Sequence, residues 1–587
     1  MNFLKNILST ILGVLIAFGL LFFIFILFIS LVGSSGEERV MVKNNSVLEL
    51  NLNIPIVDFA PEPDPLEVAL GLRENVLGLE DILNSISKAA GDDRIKGISI
   101  RNSFTFAGFG QTEAIRNALL EFKKSGKFVY AYSDFYLQKD YYLNSVADSI
   151  FLNPVGEMDF RGLSSEVMFY KDFQEKSGVK MEVIRHGKYK SAVEPYLENE
   201  MSEANREQIS ELLHSLWGEM LSDVSESRSL SVEDLNRIAD TLGGRNPQYA
   251  LKSGLIDAIA YKDEYDDALA RALGEDDGDE LETVKLTDYK SIASRAGSGT
   301  NRIAVIYAQG TIIYGKGDEF TIGQGVMIKA IKEAREDDKV KAIVLRVNSP
   351  GGSALTSELI WREIERTRKD KPVIVSMSNY AASGGYYIAC NADRIIAEPT
   401  TITGSIGVFA TIPNLKGLTD KLGINAEQVG TNEQSQGYSL FEPLSEDFEE
   451  FMQQGIEETY QTFLKRVADG RNMSIAEVDN IAQGRVWSGV DALKLGLVDE
   501  LGGIDLALER AAEIAEIDNY KVENYPKIEK SLDDILNNLS GFPFAKSKQE
   551  IIEEEIGAEA YEIIKTIKKL SAQKGVQARL PFEITIK

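Results

Sequence analysis

Cysteine and histidine are nearly missing from this sequence. Its 587 residues hold one cysteine, Cys390, and two histidines, His186 and His214. A single cysteine excludes any intrachain disulfide, and its apolar neighbours point to packing rather than reactive chemistry. No metal-ligand cluster and no phosphate-binding loop is visible, so no cofactor is expected and no metal. Positive charge is also short: 63 Lys and Arg stand against 91 Asp and Glu, a formal net charge of −28. That balance argues against nucleic acid as a partner, because phosphate binding needs clustered Lys and Arg. A chain of this length holds more than one domain and can bury large cores.

Charge is absent altogether from one stretch, residues 7–32, "ILSTILGVLIAFGLLFFIFILFISLV". A helix needs roughly 20 apolar residues to cross a bilayer. A cleaved signal peptide would have a shorter apolar core, closed by a small-x-small site. This run is longer and no A-x-A pattern closes it, so an uncleaved anchor within 1–36 is expected. Lys5 precedes the run while Glu37 and Glu38 follow it. The positive-inside rule then keeps the N-terminus in the cytoplasm and exports the body as a single-pass protein.

The chain copies itself. "GDDRIKGISIRN" (91–102) matches "EDDKVKAIVLRV" (336–347), and "FVYAYSDFYLQKDYYLNSVADSIFLNP" (128–154) lies without a gap on "VIVSMSNYAASGGYYIACNADRIIAEP" (373–399). Both matches keep an offset of 245. Further on, "GLID" (254–257) meets "GLVD" (496–499). A period this long means a duplicated domain rather than a solenoid. Within each copy, short β-branched runs alternate with helical spacing, as in "KAIVLRV", "SELIWREIERTRK" and "PVIVSMS". That order predicts parallel βαβ units and an α/β fold. The expected units are 37–300 and 301–520. Residues 266–300, acidic and then small and polar, read as the link between copies. Residues 521–587 do not match and read as a capping or assembly extension, with a helix at 548–570.

Where the copies differ, a site used only once can be read. The second copy has Ser383, Gly384 and Gly385, where the first has Gln138, Lys139 and Asp140. It has "NSPGGS" (348–353) where the first has "SFTFAG" (103–108). A serine between a strand and a helix sits at the positive end of the helix dipole. Nearby glycines let a substrate carbonyl reach backbone N–H groups that stabilise an oxyanion. The same motifs also occur as ordinary turns, but their pairing, and their absence from the sister copy, favour acyl transfer. A serine nucleophile needs a base. The first copy carries "VIRHGKYKSAVEPY" (183–196), and the second has no lysine at the matching place. A neutral, buried lysine can serve as that base. His186, in the same segment, is a rival.

These motifs resemble the signal peptide peptidase A family, in its long duplicated bacterial form. The resemblance spans the anchor, the two halves, "YKSAVEPY", "NSPGGS", "NYAASGGYYIA" and "TGSIGV". It implies two tandem domains of the Clp protease and crotonase kind, and a membrane-bound serine peptidase with a Ser-Lys dyad. It implies Ser383 as nucleophile, Lys190 as general base and Ser405 as the residue that positions the lysine. Gly351 or Gly352, with Gly384, would form the oxyanion hole. The implied substrates are signal peptides left in the membrane, the implied assembly is a homotetramer, and the implied location is the outer side of the bacterial cytoplasmic membrane. Two other readings stay open: an acyl-CoA enzyme of the crotonase type, and a non-catalytic membrane scaffold or regulator of proteolysis.

Overall fold

The computed structural model describes residues 5, 10–24, 42–61, 76–290, 299–432, 434, 435, 437–527 and 577–579. The fold is mixed α/β, with the repeat visible strand by strand. In the first copy a parallel sheet runs in the order Ala258–Ile259, Ser149–Met158, Phe128–Tyr136, Ile95–Ile100, Ser46–Leu50, Thr283–Lys285. In the second, Glu500–Leu501, Arg394–Ala397, Val373–Ala382, Val340–Ser349, Arg302–Gln309 and Lys521–Tyr525 follow the same order. Strands buried on both faces read as continuous apolar runs, and Val340–Ser349 has only Lys341 fully exposed. Lys521–Tyr525 lies just past the expected end of the second unit at 520 and completes its sheet, as Thr283–Lys285 completes the first.

Polar supports are duplicated as well. Arg228 pairs with Asp257 at 2.8 Å, and Arg471 with Asp499 at 2.5 Å. Lys127 donates to Ala89 O at 2.7 Å, and Lys371 to Ala334 O at 3.0 Å. Ionic and backbone anchors that recur in both copies belong to the scaffold.

A third sheet mixes the copies. Its order is Thr321–Gly323, Thr311–Ile313, Gly351–Ser353, Gln577–Arg579, Val408–Asn414, Lys180–His186. The last strand comes from the first copy and runs antiparallel to Val408–Asn414, with His186 opposite Val408. Between the copies Arg346 Nε donates to Asp58 Oδ1 at 2.9 Å, and both side chains are 1% exposed.

The stretch that reads as a link is more than that. Its start forms the helix Lys262–Leu273, and Thr283–Lys285 adds an edge strand to the first sheet. The helix expected at 548–570 lies outside the described residues. Of the expected anchor at 7–32, residues 10–24 are helical and exposed, and the remainder lies outside the described residues. Among the described residues, no helix is long and apolar enough to cross a membrane.

Candidate active site

Ser383 stands between the strand Val373–Ala382 and the helix Gly384–Ala389. Its backbone is at φ 54, ψ −114, a region that costs a non-glycine residue energy and persists only when the surroundings enforce it. They do: Ser383 N–H donates to Gly404 O at 2.8 Å, and Ser383 O accepts from Tyr387 N–H at 2.8 Å. The turn lifts the hydroxyl out of the sheet toward the third sheet.

Lys190 arrives from the other copy, after the strand Lys180–His186 and just before the turn Ser191–Val193. The connecting loop rests on the second copy, where Tyr189 N–H donates to Gln483 O at 2.8 Å. Gly484 lies under the lysine at φ +83, and a methyl group there would stand 2.7 Å from Lys190 Cβ. Only glycine suits a positive φ pressed this close to a neighbouring backbone.

The two residues meet. Lys190 Nζ is 2.9 Å from Ser383 Oγ, 2.9 Å from Ser405 Oγ and 3.1 Å from Ser405 O. Ser405 follows the strand Ile402–Gly404 and is held by its N–H, which donates to Arg485 O at 2.7 Å. Lys190, Ser383 and Ser405 are all fully buried. Burial pushes the Lys190 ammonium well below its ordinary value, and among the described residues no carboxylate acts to restore the charge. A neutral amine can accept the Ser383 proton.

Gly351 and Gly352 form the strand Gly351–Ser353 beside Ser383, at φ +95 and +153. The Gly351 N–H donates to Ser349 Oγ at 3.1 Å. The Gly352 N lies 3.2 Å from where a methyl on Gly384 would stand, so the two glycine loops converge.

The rival base turns elsewhere. His186 Nδ1 lies 2.6 Å from Glu457 Oε2, and its ring stacks on Tyr460 at 4.0 Å. Ser383 Oγ meets Lys190 and, at 3.4 Å, Gly407 O. His214 sits on a helix with Nδ1 against Ser210 O. Cys390 is buried, and its thiol is pushed up to about 12 by burial, which suits packing.

The first copy fills the same corner with side chains. Gln138 Oε1 accepts from Arg161 N–H and Gly162 N–H, each at 2.9 Å, at the positions matching Ile406 and Gly407. Lys139 Nζ donates to Ala107 O, whose residue matches Gly352. Sequence comparison identified these substitutions but not that they plug the site. It also missed the strand Gln577–Arg579, which carries no motif.

Comparison with known proteins finds the same two copies. The model of peptidase family S49 matches residues 121–275 and 365–518, once in each copy. "Protease 4" of Haemophilus influenzae is 37% identical over 498 residues, covering 82% of this chain and 81% of that protein. "Protease 4" of Salmonella typhi is 38% identical over 528 residues, covering 88% and 84%. "Serine protease SPPA, chloroplastic" of Arabidopsis thaliana is 34% identical over 516 residues, covering 86% and 74%.

Proposed function

The chain belongs to peptidase family S49 and is a serine peptidase, and from that premise we propose that Ser383 and Lys190 are its nucleophile and general base. One contact carries this: the buried Lys190 amine at 2.9 Å from Ser383 Oγ, with no carboxylate among the described residues to hold it charged. Neutral Lys190 takes the hydroxyl proton as Ser383 Oγ attacks the peptide carbonyl. The oxyanion is stabilised by the N–H groups of Gly384 and Gly352. Gly351 is assigned a different task, since its N–H already serves Ser349 Oγ: it leaves room for the carbonyl. Lys190 then returns the proton to the leaving amine, and water resolves the acyl-enzyme by the same route. Ser405 holds the lysine amine between its hydroxyl and its carbonyl.

The unit 37–300 thus supplies Lys190 and 301–520 supplies Ser383. We assign the run at 7–32 as a single-pass anchor of the cytoplasmic membrane, with the body on its outer side. Substrates are cleaved signal peptides and other unfolded apolar peptides, and the protein works as a homo-oligomer, a tetramer by family resemblance. The test is hydrolysis of a synthetic signal peptide by full-length protein beside Ser383→Ala and Lys190→Ala across a pH range. Loss of hydrolysis in both variants is expected. Activity that survives either change overturns the dyad, and a folded wild-type chain that leaves the peptide intact leaves the scaffold reading.

A further inference from the structure

Lys190 and Ser405 hang on one turn of the second copy, residues 483–485. Each of its three residues makes a backbone bond to the site. Gln483 O accepts from Tyr189 N–H at 2.8 Å, next to Lys190. Gly484 N–H donates to Ile406 O at 2.8 Å, and Arg485 O accepts from Ser405 N–H at 2.7 Å. The turn is tight: Gln483 stands at φ 54, and a methyl group on Gly187 would come to 2.5 Å from Gln483 O. A non-glycine residue keeps such a conformation only where its surroundings enforce it. Since Lys190 Nζ meets both Ser405 Oγ and Ser405 O, any slip of this turn moves the amine and its partner together.

The Arg485 side chain fastens the turn to the first copy. Its guanidinium carbon lies 4.8 Å from the centre of the Tyr189 ring and 4.5 Å from that of Trp487. Nη1 donates to Tyr189 Oη at 3.3 Å and to Glu207 Oε1 at 3.0 Å, and Nη2 donates to Glu211 Oε2. Glu207 and Glu211 lie one turn apart on the helix Glu203–Arg228 of the first copy. The Tyr189 hydroxyl donates to Glu207 as well, at 3.3 Å, and Trp487 is fixed by its Nε1, which donates to Ile481 O at 3.0 Å. An exposed ion pair would hold little, but the Arg485 side chain is only 14% exposed. A guanidinium both stacks on rings and forks between carboxylates, and an ammonium does neither.

Resting on the assignment of Ser383 and Lys190 as the dyad, we infer that Arg485 is a positioning residue, whose guanidinium locks Tyr189 and the turn 483–485 into the one arrangement that brings Lys190 and Ser405 together. Through Tyr189 it holds the residue before Lys190, and through its own carbonyl it holds Ser405. Arg485 touches no reacting atom. Its effect passes entirely through the placement and the dryness of the Lys190 amine.

Hydrolysis of an unfolded peptide by full-length variants, followed over a pH range, tests this. Arg485→Ala is expected to lower kcat by roughly 10- to 100-fold, the scale of a slightly misplaced catalytic group, with KM unchanged. It is also expected to move the acid limb of kcat/KM to higher pH, because a loosened loop admits water and returns the Lys190 amine toward its ordinary value. Arg485→Lys should keep most of this defect, and Tyr189→Phe should show a smaller one in the same direction. Added to Ser405→Ala, Arg485→Ala should cost no more than about twofold, since both act through one amine. Arg302→Ala, which breaks the 2.7 Å ion pair to Glu523 in the second sheet, controls for general loosening and should move neither kcat nor the limb. Wild-type kcat and an unmoved limb in folded Arg485→Ala overturn the inference, as does a loss confined to KM or one that adds in full to Ser405→Ala. Should Arg485→Ala fail to fold, Arg485→Lys and Tyr189→Phe decide by the same readouts. Those results leave the dyad standing, whereas full activity in Lys190→Ala overturns the dyad itself.

Discussion

At position 383 the second copy places a serine whose hydroxyl meets Lys190. At the matching position of the first copy, Gln138 accepts two backbone N–H groups, from Arg161 and Gly162. Next to it, Lys139 reaches the carbonyl of Ala107, at the place where the second copy keeps Gly352 bare. The surrounding supports are the same in both, down to the arginine–aspartate pairs Arg228–Asp257 and Arg471–Asp499. One copy keeps bare glycines beside its strand-to-helix turn, and the other fills the matching corner with the Gln138 and Lys139 side chains. A site that will bind a carbonyl needs room beside its backbone donors, and a copy without substrate gains by filling that room and pairing its own buried groups. The first copy meets the serine from elsewhere, by sending Lys190 across to within 2.9 Å of Ser383 Oγ.

Substitution at the matched positions should split the copies most sharply. Ser383→Ala and Lys190→Ala should each lower kcat/KM for an unfolded peptide by roughly 10⁴- to 10⁶-fold. Gln138→Ala should leave hydrolysis unchanged, because no substrate reaches that corner. If Gln138→Ala were as damaging as Ser383→Ala with folding intact, the division of labour would be wrong. Ser405→Ala should cost about 10- to 100-fold, the scale of a slightly misplaced catalytic group, and should act on kcat more than on KM.

The pH profile sharpens the contrast between two lysines, the half-buried Lys139 and the buried Lys190. Both Lys139 and Lys190 have ammonium groups pushed down by burial. Only the neutral Lys190 amine faces a nucleophile, so kcat/KM should rise with pH as Lys190 loses its proton, at a midpoint well below 10.5. With Lys190 as the proposed base, activity should fall on the acid side, where a charged Lys190 cannot accept the Ser383 proton. Lys139→Met should leave that acid limb where it is. A limb that moved with Lys139 would assign the titration to the wrong copy.

Much of this is legible in the sequence. The offset of 245 gave the matching strand orders of the two sheets, since each copy repeats its apolar runs and its turn residues. Reading one copy against the other also isolated Ser383, the paired glycine loops and the lysine segment. Three features were hidden, for physical reasons. The third sheet joins Lys180–His186 to Val408–Asn414 across the copies, and such pairing is set by tertiary contact rather than by local pattern. His186 lies in the same segment as Lys190, and only its contacts with Glu457 and Tyr460 separate it from the serine. The strand Gln577–Arg579 binds through its backbone, so its side chains carry little signal.

Plugging the first copy's corner should also stabilise it. Gln138→Ala removes the acceptor for two backbone N–H groups, and leaving buried donors unpaired costs about 1–3 kcal/mol each way it is measured. Urea unfolding of full-length protein checks this through the midpoint. The second copy offers no equivalent loss at Ser383→Ala, where a small hydroxyl is removed and Lys190 still meets Ser405.

A last pair of matched residues separates the copies by electrostatics. Glu113 and Glu358 occupy the same position of the two repeats, on the helices Phe109–Lys123 and Ala354–Thr367. Glu358 accepts from Arg466 at 2.6 Å and from the Tyr387 hydroxyl at 2.6 Å. Glu113 is buried against the second copy and accepts from Thr400, at 3.0 Å from its N–H and 2.6 Å from its hydroxyl. Burial raises the Glu113 carboxyl well above its ordinary value, and the nearby Glu398 carboxylate raises it further. A carboxyl with a raised folded-state pKa binds a proton more tightly folded than unfolded, so its stabilisation is full below 4.5 and is lost as pH rises through the raised value. Glu113→Gln should remove that loss, gaining about 1 kcal/mol at alkaline relative to acid pH. Glu358→Gln should instead cost about 1.5–3 kcal/mol near neutral pH, because the Arg466 guanidinium and the Tyr387 hydroxyl lose a charged acceptor. Unfolding midpoints for wild type and both variants, compared below and above neutrality, read the two signs. Equal signs would mean that the Arg466 and Tyr387 contacts do not set the difference between Glu358 and Glu113.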